Sequence, residues 1–433
     1  MGSSVLRTAF LGARLLDPES GLDQRGGLLA ENGKIVAFGP AIFNDGTPEG
    51  ADIVDCGGAC LAPGLVDMRV QLREPGEEHK EDILSGSRAA AAGGVTSMVA
   101  LPNTDPVIDD VAGVEFVARR ARDVKLVKIY TYGAVTRGLE GKELTEIGLL
   151  TDYGALGFTD GLRAVADPQV MRRALSYSRA FGTVILQHPE VPELAGGAMN
   201  SGELATRLGL SGVPPLSEVM MIERDLRLVE MVGGRYHVSH ITTAESARVI
   251  AAAKVRGLAV TCDTAPHYFS LNELSVNDYR TFGKVSPPLR SEQDREAIAA
   301  AVAEGIVDAV ASDHSPHDQD AKRIPFAQAE FGIVGLETLL PLSLRLVHQG
   351  RTSLLDLLGR LTYRPADILG IEAGRLKKGA PADLVIFDPD IAGRIEPDKF
   401  RSKSKNSPFE NHPVEGRVLR TVVDGRSIFA HEG

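Results

Sequence analysis

Apolar and polar positions alternate along this chain in two distinct rhythms. Near the N-terminus the apolar runs are short and end in turn residues. Val5–Leu16 closes on Asp17-Pro18-Glu19-Ser20-Gly21, Gly27–Leu29 and Lys34–Phe38 flank a hairpin-type Asn32-Gly33, and Ile53–Asp55 follows. The C-terminal end has the same character, with strands expected at Asp383–Phe387, Val418–Val423 and, after Asp424-Gly425, Ser427–Ala430. Two strand-rich ends predict one small β-sandwich domain built from both termini, residues 1–60 plus 376–433.

Between them, short apolar strands alternate with amphipathic helices. Strands are expected at Leu61–Val70, Thr96–Leu101, Val127–Thr131, Gly157–Thr159, Thr183–Gln187, Tyr236–Ser239, Ala259–Cys262 and Asp308–Ala311. Helices are expected at Asp82–Ala92, Val111–Arg122, Pro168–Ala180, Leu216–Val232, Ala244–Arg256 and Ser291–Glu304. Strand–helix alternation implies a parallel sheet. About eight such units over residues 61–375 predict an α/β fold of the (β/α)8 TIM-barrel type. A doubly wound sheet would place a GxGxxG turn after an early strand, and none occurs there.

Composition narrows the class. Of 433 residues, 43% are hydrophobic and 24% charged, as in ordinary globular chains. No apolar run reaches the ~18 residues of a membrane span, and Met1–Phe10 lacks the apolar core of a secretory signal. The net charge of −11 disfavours nucleic acid and anionic membranes as partners. Three cysteines, Cys56, Cys60 and Cys262, form no paired metal motif; they read as small buried hydrophobes in a reducing, cytoplasmic compartment.

The polar residues are more telling. In a parallel barrel, reactive side chains project from the C-terminal ends of the strands. Here the strand ends carry Asp67 to Arg73, Asn103, Asp160, His188, His240 and Asp313 to His317. Singly, each reads as a hydrogen-bonded structural residue or a helix cap. Together, Asp160, His188, His240 and Asp313 are nitrogen and oxygen donors suited to a divalent ion such as zinc, and a closed barrel would bring them to one mouth. That pattern points to a metal-dependent hydrolase.

These residues sit in segments that resemble the class I dihydroorotases of the amidohydrolase superfamily. The segments are Pro63-Gly64-Leu65-Val66-Asp67, Leu72-Arg73-Glu74-Pro75-Gly76, Leu101-Pro102-Asn103-Thr104, Phe158-Thr159-Asp160, His237-Val238-Ser239-His240, Ser286-Pro287-Pro288-Leu289-Arg290, Ser312-Asp313-His314-Ser315-Pro316-His317, Phe331 through Thr338, and Ser404 through Phe409. They run in collinear order over essentially the whole chain. The resemblance implies reversible closure of N-carbamoyl-L-aspartate to (S)-dihydroorotate in pyrimidine synthesis. It implies Asp160, His188 and His240 as zinc ligands, Asp313 as ligand and proton shuttle, and Arg73, Asn103 and His317 as holders of the substrate carboxylate. It also implies self-association.

One departure stands out. Where the family has a His-x-His pair on the first strand, this chain has Arg69 and Gln71. Arginine stays protonated and has no lone pair to offer a metal. Ser286 stands where the family usually has Asn, and Pro189 where Cys is common. One zinc per chain is therefore expected. Two other readings stay open: a catalytically silent dihydroorotase-like subunit that supports aspartate transcarbamoylase, and a hydantoinase-like cyclic amidase. Among the remaining polar residues, His79, Lys80, Lys125, Lys128 and the Asp318–Arg323 cluster are expected at the solvated surface. His267 is expected to be structural, and His314 to pack beneath the site.

Overall fold

The computed structural model describes residues 6–431. Eight parallel strands form the barrel: Leu65–Val70, Val95–Ala100, Lys128–Gly133, Ala155–Phe158, Val184–Gln187, Arg235–Val238, Val260–Thr264 and Ala309–Val310. The first and last are joined through His314, which bridges Val70 and accepts the Gln71 backbone N–H at 2.9 Å. The first two strands are buried along their whole length, as a parallel sheet covered on both faces requires.

Helices close around the barrel at sequence-legible caps. Asp82 accepts from Ser85 N while the Ser85 hydroxyl receives the Asp82 N–H, a reciprocal cap for Ile83–Ala92. Leu216–Val232 spans the expected residues. Three helices after the last strand, Leu339–His348, Leu354–Leu361 and Tyr363–Leu369, go beyond the six expected. In Leu339–His348 the buried Leu340, Leu342, Leu344 and Leu346 recur at every second residue, a strand-like period in the sequence.

The termini build a separate sheet, ordered Arg426–Ala430, Pro413–Val423, Leu384–Arg394, Cys60–Pro63, Arg7–Asp17, Leu22–Glu31 and Lys34–Gly39, with Asp52–Asp55 beside Arg7–Asp17. Asn32 and Gly33 have φ of 47° and 81°, as the hairpin reading required. The expected single strand Leu61–Val70 is two strands. Cys60–Pro63 pairs with Leu384–Arg394 in the terminal sheet, and the chain crosses to the barrel at Gly64. A Cβ at Gly64 would lie 2.2 Å from the Thr96 side chain, so only glycine passes there.

Lys128 is not a free surface charge. Its Nζ lies 2.7 Å from Asp383 and 3.0 Å from Asp424, tying the third barrel strand to the terminal sheet. The Asp318–Arg323 segment also differs from expectation. Asp318 caps a short helix, Gln319–Lys322, and the buried Lys322 ammonium donates to the carbonyls of Glu330, Thr281 and Lys284. Those acceptors make it an internal tether of the loop after His317. Lys80 pairs with Glu77, and His79 stays exposed, 3.3 Å from Asp318.

Candidate active site

The site forms where the ends of the first and last strands meet. Arg69, near the end of the first strand, is only 2% exposed, so its charge must be met by protein. Its Nε donates to Asp313 Oδ1 at 3.1 Å. The same oxygen lies 3.2 Å from His240 Nε2. Burial alone would raise the Asp313 carboxyl; His240, and then Arg69, hold it well below the usual carboxylate range. Asp313 Oδ2 is left with His267 Nε2 at 3.8 Å, beyond hydrogen-bond reach. Burial pushes His267 down to about 3, so that ring is neutral.

His240 is held from behind. Its Nδ1 lies 2.6 Å from Asp263 Oδ1, and His237 Nε2 is 3.4 Å from the other Asp263 oxygen. Burial acts to lower His240, but Asp263 and Asp313 raise it to about 9. His188 is organised similarly: its Nε2 is 2.9 Å from Glu190 Oε2, which also accepts from Ser286 Oγ at 2.7 Å. Asp160 accepts from the Thr136 N–H at 2.9 Å and from the Thr136 hydroxyl.

Gln71, buried beside Arg69, donates to Ser315 Oγ at 2.6 Å and accepts from Asn103 Nδ2 at 3.1 Å. Arg73 donates from Nε to the Pro316 carbonyl at 3.2 Å and from Nη1 to Glu77 at 2.8 Å, while Nη2 stands 3.1 Å from His317 Nε2. Burial, then the Arg73 charge, keeps His317 far below its ordinary range and neutral. Arg73 and Asp313 have φ of 59° and 50°, a left-handed backbone that side chains rarely adopt. Such strain gathers at functional sites.

The structure thus brings Arg69, Asp313 and His240 into one buried cluster, Gln71, Asn103 and Ser315 into a second, and Arg73 and His317 into a third. His314 packs beneath: Nδ1 accepts the Gly335 N–H at 3.2 Å, so Nε2 carries the proton and faces Glu81 at 3.3 Å. Asp263 and Glu190 escaped the sequence reading. Asp263 lay one residue beyond the expected end of the seventh strand, which runs to Thr264. Glu190, two residues past His188, carried a signal that spacing alone did not separate from a surface carboxylate.

Two of these side chains have the orientation of metal ligands. His188 Nδ1 is buried without a hydrogen-bond partner, His240 Nε2 faces only Asp313 Oδ1 at 3.2 Å, and in each ring the other nitrogen meets a carboxylate. That is how metal-binding imidazoles are oriented. Those two imidazoles fit one ion, and Asp160, whose oxygens now accept from Thr136, is the carboxylate that would join them. A second ion does not fit, because Arg69 and Gln71 are committed to protein partners. Among the described residues no group of three His, Cys, Asp or Glu side chains is gathered around a point as a closed centre would be. The three cysteines are buried and free, as expected. No helix among the described residues is long and apolar enough to cross a membrane.

A parallel barrel with this polar mouth, joined to a sheet made from both termini, defines an amidohydrolase. The family model described as Dihydro-orotase-like matches residues 58–246, and that of the Amidohydrolase family matches residues 215–428. The chain is 45% identical to the dihydroorotase of Ehrlichia chaffeensis, over 99% of this chain and 96% of that one. It is 46% identical to the dihydroorotase of Wolbachia sp. subsp. Drosophila simulans, over 98% and 96%. The L-hydantoinase (dihydropyrimidinase) from Arthrobacter aurescens superposes with a TM-score of 0.85 at 26% identity, covering 97% of this chain and 95% of that one. The chain belongs to the dihydroorotase family.

Proposed function

We propose that this protein is a dihydroorotase-type cyclic amidohydrolase that interconverts N-carbamoyl-L-aspartate and (S)-dihydroorotate with one zinc ion per chain. The observation that carries the reading is the juxtaposition of Asp313, with one oxygen facing Arg69 and His240 and the other outside hydrogen-bond reach of His267, with His317 four residues on along the same strand-end segment and the Arg73 guanidinium that reaches His317 from the first-strand end. Asp160, His188 and His240 would hold the zinc. Bound there, zinc supplies a Lewis acid and lowers the pKa of water to about 7.

The protein's own residues do the rest. Arg73, Asn103 and His317 receive the ring carboxylate; a guanidinium contact to a carboxylate is a strong, charge-assisted bond. In hydrolysis, water oxygen bonds to the amide carbon and the ring C–N bond breaks. Asp313 takes the water's proton on Oδ2 and delivers it to the departing nitrogen. Ring closure runs the same transfers backwards. Arg69 supplies fixed positive charge beside the reacting carbonyl.

The Arg69–Asp313 pair also favours a second reading, in which the base is neutralised and the chain serves as a silent, self-associating subunit of an aspartate transcarbamoylase assembly. A hydantoinase-like activity ranks below both, since a neutral ring has no use for the Arg73 guanidinium. Steady-state assays of dihydroorotate against hydantoin separate the readings. The dihydroorotase reading expects turnover of dihydroorotate at least a hundredfold more efficient; equal turnover of both rings, or of neither, contradicts it.

A further inference from the structure

Gln71 occupies a position that cannot serve a metal while its present bonds stand. Its amide is buried, with Nε2 on Ser315 Oγ at 2.6 Å and Oε1 receiving Asn103 Nδ2 at 3.1 Å. Ser315 lies between Asp313 and His317, and its N–H is anchored on the Ile333 carbonyl at 2.7 Å. Gln71 therefore spans the mouth from the second-strand loop that carries Asn103 to the last-strand segment that carries Asp313 and His317.

The chemistry of Asn103 makes that span matter. An asparagine amide can present either two N–H groups or a carbonyl oxygen, and the two ends have opposite meaning for an anion. With one Nδ2 hydrogen given to Gln71 Oε1, the second remains for a carboxylate oxygen. With the amide turned over, Oδ1 would meet the carboxylate and repel it. Gly161 closes the other side: a Cβ there would lie 3.1 Å from the Asn103 side chain. We infer that Gln71 is a positioning residue for the substrate carboxylate, acting through Asn103 by holding its amide with Nδ2 toward the ligand. This inference rests on the reading of Asn103 as a carboxylate holder. The two first-strand positions would thus have been rebuilt for different ends, Arg69 to hold Asp313 and Gln71 to set the clamp.

The test uses zinc-loaded, full-length protein and four variants: Gln71→Met, close to isosteric but without donors, Asn103→Ala, their combination, and Ser315→Ala, which releases the other end of Gln71. Readouts are KM and kcat for dihydroorotate, Kd by calorimetry, and Kd for dihydroorotate methyl ester, the same ring without the charge. Loss of one well-placed hydrogen bond to a charged group predicts a roughly tenfold rise in KM and Kd for Gln71→Met, with kcat lowered less than threefold. Ser315→Ala should give a smaller rise, about threefold. Ester binding should change less than twofold. In the Asn103→Ala background, Gln71→Met should add less than twofold.

A full tenfold effect of Gln71→Met persisting without Asn103 overturns the inference, as does an equal loss of ester binding. If Asn103→Ala raises KM and Gln71→Met does not, this inference alone falls. If Asn103→Ala leaves KM and Kd unchanged, the reading of Asn103 falls and takes the inference with it. Wild-type protein that does not bind dihydroorotate contradicts both.

Discussion

Arg69 Nε lies 3.1 Å from Asp313 Oδ1 across the seam where the first and last barrel strands meet, and both side chains are buried. The pair places a fixed cation on the carboxylate that the proposed chemistry needs as its base. Removing one partner of a buried ion pair strands the other, typically at a cost of ~3–5 kcal/mol. His240 remains beside Asp313, so Arg69→Met should lower the unfolding free energy by about 3 kcal/mol, at the low end. Urea denaturation of metal-free protein reads this; an unchanged midpoint would show that the pair carries no stability.

Metal stoichiometry follows from the commitments of the same side chains. Purified protein should hold one zinc per chain by elemental analysis, and His240→Ala should lose it. Two ions per chain would mean that Arg69 and Gln71 are displaced on loading.

Introducing imidazoles tests that placement. Arg69 closes on Asp313 and Gln71, just past the strand end, on Ser315, so both reach toward the last-strand segment. Arg69→His combined with Gln71→His should therefore add a second ion. A double variant that binds no more metal than wild type would show that Asp160 and Asp313 are not disposed about this strand end.

The carboxylate clamp has its own variant. Arg73→Ala removes a buried guanidinium that also meets Glu77 and the Pro316 carbonyl. Dihydroorotate affinity should fall by at least tenfold, given ~1.5–3 kcal/mol for a charged hydrogen bond. Circular dichroism should show the fold retained. Undiminished calorimetric binding would remove Arg73 from the site.

A pH prediction arises away from the mouth. Glu337 accepts from the backbone N–H of Arg401 at 2.7 Å and of Ser402 at 3.1 Å. Burial nonetheless pushes its carboxyl up to about 7 from an ordinary 4.5. Between those values the folded chain keeps a proton that the unfolded chain releases, so stability falls as pH rises, and the whole cost is carried above about 7. Glu337→Gln should raise the melting temperature at pH 8 by about 2 °C and leave it unchanged at pH 4.5. An equal shift at both pH values would rule out a protonation origin.

Much of this architecture was legible because it rests on periodicity and turn chemistry. Alternation of short apolar strands with capped helices marked the barrel, and Asn32-Gly33 marked a hairpin. Residue types at strand ends marked Asp313, His240 and Arg73. The rest depended on contacts that no pattern encodes. Gly64 divides an unbroken apolar run because the second half must turn into a different sheet beside Thr96. Lys322 reads as a solvated charge, yet backbone carbonyls brought together by the fold receive it. Asp263 and Glu190 gain their roles only from the imidazoles opposite them.

The central claim is that one metal beside a fixed guanidinium suffices for turnover. The direct measurement is the rate of dihydroorotate hydrolysis by purified protein as zinc is titrated into the metal-free form, with bound zinc counted in the same samples. The account predicts a rate that rises linearly with occupancy, saturates at one zinc per chain, and is abolished by Asp313→Ala. Protein filled to one zinc per chain that binds dihydroorotate without hydrolysing it would contradict the account and leave the silent-subunit reading in its place.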